Sequence, residues 1–307
     1  MVTEFDCVIT YHHNIHTCGV ARFNRYLADH LKIPMLSFAE LANDVYDFPL
    51  ISIKESEMLH ADVLEFYSII ERTKIRYSVV FHSFEGSETE INFLKGAEEV
   101  MALNAQMASE MLPFRADVLT GFTVATPLPK ISIASSFEIK MITFGMAHKI
   151  QSSGYIKVAD LLNESGRTSV LEISSALHEG TEFDDRFFNV GEEISEIFDG
   201  RVEFLGFLAD HEVARRVKAA DVMLAFFPNG ARENNNSVLS AMWLGTPVIT
   251  NLDSWSPSWL RHGETVFDIG RLEEFPSKEK LKEVGEFGRS ATKHLTYQSL
   301  VSLFQNT

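Results

Sequence analysis

The turn between two apolar runs, 222–227 and 237–244, holds the chain's densest group of residues suited to ligand chemistry. Its last polar residues are Glu233, Asn234, Asn235, Asn236 and Ser237. Asn236 or Ser237 can cap a following helix, and the amide groups of a helix start attract phosphate oxygens. A carboxylate such as Glu233 can accept two hydrogen bonds from neighbouring sugar hydroxyls. The turn therefore predicts a site for phosphate and sugar groups.

A second polar group follows the first apolar run, 6–10. The loop 11–17 contains His13 and Asn14, and Gly19 comes directly after it. A glycine at this point lets the backbone approach a bulky ligand and opens a helix whose amides attract anions. A plain turn glycine is an equally good explanation from the sequence alone.

Three histidines in this loop, His12, His13 and His16, raise the question of a metal site. They lie in a loop after a strand, and no pattern of carboxylates surrounds them. We therefore expect them to line a polar cleft and expect no metal site.

His82 ends an apolar run, 77–81, and precedes a polar loop. Ligands contact an α/β sheet at the carboxyl ends of its strands. The position favours a ligand contact for His82, with a partly buried loop histidine as the alternative.

Both halves of the chain alternate predicted strands and helices, and no internal repeat is present. The first half predicts strands at 6–10, 33–37, 77–81 (the third), 97–103 and 116–122, and helices at 21–31 and 104–112. The second half predicts strands at 138–145, 168–174, 202–206, 222–227 and 248–250, and helices at 155–163, 188–198, 237–244 and 278–293. The order is typical of α/β domains with parallel sheets.

The chain of 307 residues is long for one core and predicts two domains. A boundary is expected near 126–137, where two prolines and three serines separate periodic segments. We predict a first domain at 1–130, a second at 138–290, and a segment at 291–307 that packs back on the first.

The net charge of −16 weighs against a general nucleic-acid binder and against docking to anionic lipid. Two cysteines, Cys7 and Cys18, indicate a reducing compartment without a disulfide framework. The N-terminus lacks the features of a signal or transit peptide, and no run reaches the roughly 20 apolar residues of a membrane span. We expect a cytoplasmic protein, at most peripheral at the inner membrane face.

Residues 202–270 resemble the retaining glycosyltransferases of the GT-B fold, and glycosyltransferase family 4 in particular. The elements that carry the resemblance are, in order, Phe204-Leu205-Gly206, Ala219-Ala220-Asp221-Val222, Pro228-Asn229-Gly230-Ala231-Arg232-Glu233, Ala241-Met242 and Gly245-Thr246-Pro247-Val248-Ile249. The first half of the chain resembles these glycosyltransferases more weakly, through Gly19 and His82.

The resemblance implies an α/β, GT-B architecture: two Rossmann-like domains whose parallel sheets face each other across a cleft. It implies transfer of a sugar from a nucleotide-sugar donor to an acceptor hydroxyl, with retention and without a bound metal. The nucleotide-sugar would be a co-substrate, so no further cofactor is expected. The acceptor would be a glycan, a lipid-linked precursor or a protein.

On the donor side, the resemblance implies that Gly145 lies beside the nucleotide and that basic residues after it neutralise the leaving diphosphate. His148 and Lys149 are the basic residues here, and Lys149 is the expected catalytic cation. The family's lysine before a second glycine is absent, because Ser153 precedes Gly154.

The family also carries two glutamates separated by seven residues, the first contacting the sugar and the second the ribose hydroxyls. Glu233 corresponds to the first by type, and we expect it to be a catalytic residue beside Lys149. Ser240 stands where the second is expected, and counting back from it gives Arg232. The departure leaves the ribose contact unassigned, with residues 234–237 as donor-binding groups.

On the acceptor side, the resemblance implies that Gly19 faces the donor diphosphate and the acceptor. It gives His82 a catalytic contact with the sugar, and we place His13 and Asn14 at the acceptor.

Three other functions agree with the sequence. A GT-B nucleotide-sugar epimerase would turn over the donor without an acceptor. A non-catalytic nucleotide-sugar-binding protein would bind without transfer. A glycosyltransferase acting on modified DNA bases would need a local basic groove despite the acidic charge.

Overall fold

The computed structural model describes residues 5–15, 18–41, 46–125, 138–146, 151–176 and 185–305. The chain forms two compact units, Met1–Val124 with Leu295–Thr307, and Ala125–His294. The predicted boundary at 126–137 lies outside the described residues.

The first unit is built on a parallel sheet of short, buried strands. Its strands are β1 (Val8–Thr10), β2 (Met35–Ser37), β3 (Leu50–Ile53), β4 (Ser78–Phe81), β5 (Val100–Ala102) and β6 (Val118–Thr120). Its helices before the second unit are α1 (Gly19–Leu31), α2 (Phe38–Leu41), α3 (His60–Thr73), α4 (Glu88–Gly96) and α5 (Ala105–Met111). A 3-10 turn at Glu55–Glu57 follows β3.

The strands of this sheet lie in the order β2-β1-β3-β4-β5-β6, and every pair is parallel. The chain moves from β1 to β2 on one side and then continues with β3 on the other side of β1. A topological switch point therefore lies between β1 and β3, where ligands bind outside the carboxyl ends of α/β strands.

The sequence pattern did not indicate β3, so the prediction of 77–81 as the third strand was wrong: β4 is the fourth strand of the chain. β3 pairs with both β1 and β4, through Val8 opposite Leu50 and Leu50 opposite Ser78. All four residues of β3 are buried. A strand covered on both faces need not alternate polar and apolar residues. The four residues of β3, three of them apolar, are too short a run to stand out.

The second unit contains a second sheet of six parallel strands. Its strands are β7 (Ile139–Met146), β8 (Ser169–Ala176), β9 (Val202–Gly206), β10 (Val222–Ala225), β11 (Val248–Thr250) and β12 (Phe267–Asp268). Its helices are α6 (Ser152–Ser165), α7 (Asp185–Ile197), α8 (Asp210–Ala219), α9 (Asn236–Leu244) and α10 (Lys278–Ala291).

The strand order β12-β11-β10-β7-β8-β9 is that of a Rossmann sheet, in which the first strand lies beside the fourth. The switch point of this unit is between β7 and β10. The two-residue β12, which pairs with β11, was not predicted.

The last helix, α11 (Tyr297–Gln305), belongs to the first unit. Its residues Leu300, Val301 and Phe304 are buried in one apolar cluster with Phe5 and Phe23. No described helix combines the length and apolarity that crossing a membrane requires.

Helix α6 packs very closely against Phe226, the residue directly after β10. A Cβ atom added to Gly154 would lie 2.2 Å from Cγ of Phe226, whose ring is buried. Only a glycine allows this approach, and the approach fixes α6 beside the switch point of the second unit.

We therefore expect Gly154→Ala to lower the free energy of unfolding by about 1–2 kcal/mol. Overpacking costs about 1–3 kcal/mol, and the better helix propensity of alanine offsets up to about 1 kcal/mol of it. Urea denaturation followed by circular dichroism measures the effect.

Gly191→Ala in α7 is the matched control, since its Cβ would come no closer than 3.4 Å to Phe204. The double variant Gly154→Ala with Phe226→Leu should recover part of the loss. A Gly154→Ala variant as stable as the wild type would contradict the packing argument.

Candidate functional site

The sequence-predicted site residues group at the carboxyl ends of the two sheets. Those of the second unit follow β7 and β10, the two strands at its switch point. Those of the first unit follow β1 and β4. The two groups are described separately below.

In the second unit, one asparagine holds the turn after β10. Asn251 accepts a hydrogen bond from the amide of Phe227 at 2.8 Å and donates one to its carbonyl at 2.6 Å. The carbonyl of Asn251 also accepts from the amide of Ala231 at 2.9 Å. These three bonds attach the turn to the segment after β11 and fix its path.

The same turn carries a buried arginine with a carboxylate partner. Arg232 is 7% exposed, and its two terminal nitrogens donate to the two oxygens of Asp253 at 2.8 and 2.6 Å. Gly230, with a φ of +78°, lies against this pair, and a Cβ there would be 3.0 Å from Arg232 and from Asp253.

Burial by itself would raise the pKa of Asp253. The hydrogen bonds from Arg232, from the amide of Trp255 and from Ser256, with the charge of Arg232, outweigh burial and lower that pKa below its usual value. The carboxylate therefore stays ionised, and the bidentate geometry makes the pair strong and directional.

The start of α9 differs from the prediction that Asn236 or Ser237 caps it. The N-cap residue is Asn235, and its side chain makes no capping bond. Its Oδ1 instead accepts from the amide of Arg232 at 2.6 Å. The prediction of capping by Asn236 or Ser237 was wrong, because Asn235 is the N-cap residue and its side-chain oxygen bonds the backbone amide of Arg232 within the turn.

Consequently, the amides of Ser237 and Val238 have no acceptor among the residues that the structure describes. Such uncapped first-turn amides carry the positive end of the helix dipole. They can bind an anionic oxygen at the switch point of the second unit.

Glu233 and Asn234 are half-buried on the same turn, directly before α9. Ser240 does not supply a substitute for a carboxylate, because it is buried and its hydroxyl donates to Oδ1 of Asn236 at 3.2 Å. The turn thus offers one carboxylate, that of Glu233, and not two.

Gly145 lies near the end of β7 and is exposed. Its φ of +143° is a backbone conformation that residues other than glycine rarely adopt. His148 and Lys149, the expected cations, lie outside the described residues. The structure therefore leaves the predicted role of Lys149 as a prediction.

In the first unit, His82 follows β4 and is half-buried. Its Nε2 lies 2.9 Å from the hydroxyl of buried Ser52 at the end of β3, and its ring packs edge-on against Phe23. The loop after His82 is fixed by buried Glu90, whose Oε2 accepts amides of this loop, including that of Gly86 at 2.8 Å.

Gly19 begins α1 and is exposed. Its φ is not positive, and an added Cβ would meet no protein atom within 4 Å. The backbone of the first unit therefore does not require a glycine here, and the start of α1 carries no side chain at this position.

His13 and Asn14, the expected acceptor-side residues, are exposed in the loop after β1, and His16 lies outside the described residues. His12 was expected to line a polar cleft, but it is only 8% exposed and its Nε2 lies 2.9 Å from the carbonyl oxygen of Glu57. The ring turns inward, where the carbonyl of Glu57 provides a partner.

The sequence patterns did not single out Asn251, Asp253 or Ser52, whose side chains hold these turns and His82 in place. Asn251 and Asp253 directly follow the strand 248–250, and a polar residue at such a strand end was the available signal. Ser52 gave no signal, because β3 itself was not recognised.

No protein-family model matches the sequence, and no curated protein sequence is similar to it. Solved structures with the same fold are found. HepE from Anabaena, in a complex with UDP and glucose, is 12% identical with a TM-score of 0.70, covering 98% of each chain.

Sucrose-phosphate synthase from Thermosynechococcus elongatus is 13% identical with a TM-score of 0.73, covering 98% of this chain and 97% of that one. The lipopolysaccharide outer core galactosyltransferase WaaB is 10% identical with a TM-score of 0.61, covering 98% and 97%. The α/β architecture expected from the sequence is therefore confirmed: the chain has the fold of the GT-B glycosyltransferases.

Proposed function

We propose that this protein is a glycosyltransferase that moves a sugar from a nucleotide-sugar donor to an acceptor hydroxyl. The observation that carries the proposal is the uncapped start of α9, where the amides of Ser237 and Val238 lie at the switch point of a Rossmann sheet. Diphosphates bind at this position in such sheets.

The donor would bind in the second unit. Its diphosphate would accept hydrogen bonds from the start of α9, and Glu233 would accept hydrogen bonds from the sugar hydroxyls. The exposed backbone at Gly145 would let the nucleotide approach closely. His148 and Lys149 would supply positive charge near the leaving diphosphate.

The HepE structures contain UDP, UDP and glucose, or UDP-glucose. Their likeness in fold supports a uridine nucleotide as the first donor to test. The motifs of residues 202–270 resemble those of the retaining, family 4-like enzymes, so we include retention of the anomeric configuration in the proposal.

The acceptor would bind in the first unit, near Gly19, His13, Asn14 and His82. His82 is oriented by Ser52, so its ring can present a defined nitrogen or carbon edge to a sugar. A hydroxyl of a glycan, a lipid-linked precursor or a protein fits this chemistry.

Charge on the leaving diphosphate would be stabilised by helix amides and nearby cations. Fixed dipoles aimed at the developing charge lower the barrier without reorganising during the reaction. We therefore propose that the transfer itself proceeds without a metal on the diphosphate.

One observation favours a second candidate, a nucleotide-sugar-binding protein without transfer activity. Ser240 is buried and bonded to Asn236 at the position where the family places its ribose carboxylate. Tight nucleotide binding with no product across a panel of acceptors would select this candidate.

UDP, GDP or one of their sugars should raise the melting temperature of the protein. Glu233→Ala should weaken binding of the nucleotide-sugar by about tenfold or more, since loss of a charged hydrogen bond costs about 1.5–3 kcal/mol. Thermal shift and isothermal titration calorimetry measure both effects.

Glu274→Ala, at an exposed position of the same unit, is the control and should bind as the wild type does. If no nucleotide raises the melting temperature, the proposed function is wrong. If Glu233→Ala and Glu274→Ala bind equally well, the donor site has been placed incorrectly.

Asp253→Asn should lower the free energy of unfolding at pH 7 by about 1–3 kcal/mol, between the values for exposed and buried pairs. The pKa of Asp253 is lower in the folded protein than its usual value of 3.8. The ionised carboxylate therefore stabilises the fold fully above pH 3.8, and this stabilisation is lost as the pH falls through the folded-state pKa. The variant should therefore approach the wild type only in strong acid.

Denaturation at a series of pH values tests this, with Asp199→Asn as an exposed control expected within about 0.5 kcal/mol of the wild type. Nucleotide binding at pH 7 should also weaken in Asp253→Asn, because Arg232 holds the turn before α9. Unchanged stability at pH 7 would contradict the structural role of the pair.

Gly19→Ala and Gly19→Val should keep the stability of the wild type, since no protein atom lies within 4 Å of the new Cβ. Sugar transfer should fall progressively from glycine to alanine to valine if a ligand approaches this backbone. Full activity of the valine variant would remove Gly19 from the site.

A further inference from the structure

A compact set of metal-binding side chains lies at the switch point of the first unit. One ring nitrogen of His12, the sulfur of Cys18 and a carboxylate oxygen of Glu57 all lie within 4.8 Å of one another. His12 follows β1, Cys18 precedes α1, and Glu57 ends the 3-10 turn after β3. The three ligands thus come from the diverging ends of β1 and β3, where α/β sheets bind ligands.

The three side chains are shielded from solvent. His12 is 8% exposed, Cys18 is 2% exposed, and the side chain of Glu57 is 15% exposed. Three polar groups of different chemistry, mostly shielded from solvent and drawn from separate elements, form a candidate ligand set and not a solvated surface cluster.

The hydrogen bond of His12 orients its ring as metal sites require. A carbonyl oxygen only accepts, so Nε2 of His12 donates to the carbonyl of Glu57 at 2.9 Å. Metal-binding histidines donate their other ring N–H to such an acceptor, which fixes the tautomer and the ring plane. Nδ1 is then the nitrogen that can coordinate.

The environment also suits the anionic ligands. The sulfur of Cys18 accepts from the amide of Ala21 in the first turn of α1, the end of a helix that favours negative charge. Glu57 forms an ion pair with Lys54, which engages its Oε1. A thiolate and a carboxylate together balance the two charges of a divalent ion.

From this geometry we infer that His12, Cys18 and Glu57 bind one Zn²⁺ ion. A mixed set of nitrogen, sulfur and oxygen ligands selects zinc over magnesium or calcium. Zinc bond lengths of about 2.0–2.3 Å place tetrahedral ligand atoms roughly 3.5 Å apart. Shifts of about an ångström in the three ligand atoms would therefore bring them to zinc-binding distances. A water molecule would be the fourth ligand.

The ion would fasten the loop after β1, which carries His13, Asn14 and Gly19, to the segment after β3. It would be a structural ion of the first unit. The inference is independent of the proposed function, because its readout is metal binding and not sugar transfer.

The full-length protein, stripped of metal with a chelator, should bind one equivalent of Zn²⁺ in calorimetry and should not bind Mg²⁺. Cys18→Ser, His12→Gln and Glu57→Gln should each weaken Zn²⁺ binding by about 100-fold or more, since loss of an outer-shell partner alone costs about 10–100-fold. His13→Gln, an exposed neighbour, should bind as the wild type does.

Cys18→Ser is the most informative variant, because serine is itself a good N-cap and preserves the start of α1. Co²⁺ titration of the wild type should give a thiolate-to-cobalt charge-transfer band that Cys18→Ser abolishes and Cys7→Ser retains. Burial raises the pKa of Cys7 to about 12, so that thiol does not compete as a ligand.

Absence of stoichiometric Zn²⁺ binding by the wild type would overturn the inference. Zn²⁺ binding and a cobalt band that persist unchanged in Cys18→Ser would also overturn it, since the ion would then lie elsewhere.

Discussion

The constraint on which the structure depends is that all strands of each sheet run parallel. Parallel neighbours need crossover connections, which are right-handed and usually helical. Every strand therefore ends at the same edge of its sheet, and the next helix starts near that edge. Polar groups distant in sequence therefore meet at this edge. Examples are the ring of His12 with the carbonyl of Glu57, and the side chain of Asn251 with the backbone of Phe227.

Much of this arrangement could be predicted from the sequence. The strands at 222–227 and 248–250 and the helix between them were predicted to within a few residues, because a buried strand, a polar turn and an apolar helix differ sharply in composition. The expectation for α1 was similarly close, since Val20, Phe23 and Leu27 form a helical stripe and all three are buried. β3 could not be predicted, because its burial on both faces removes the periodic signal.

The places of the candidate residues in the fold were predicted better than the contacts that their side chains make. Gly145, Glu233 and His82 lie at strand ends or on the turn, as their positions in the sequence imply. The partners of polar side chains could not be predicted, because they depend on which strand ends become neighbours. Asn235 was expected to serve the helix or a ligand, yet its oxygen bonds the amide of Arg232. Any asparagine near a turn can bond a nearby backbone group in this way instead of capping a helix.

The charge distribution limits how an acidic protein can hold the proposed diphosphate. Arg232 lies beside the start of α9, but Asp253 takes both of its terminal nitrogens and neutralises its charge. The positive potential offered by the described part of this turn therefore comes mainly from the backbone amides of α9. Such amides attract an anion within the first turn only, so the diphosphate oxygens must approach Ser237 and Val238 directly. Under the proposed function, the remaining positive charge would come from His148 and Lys149, the cations that the resemblance implies.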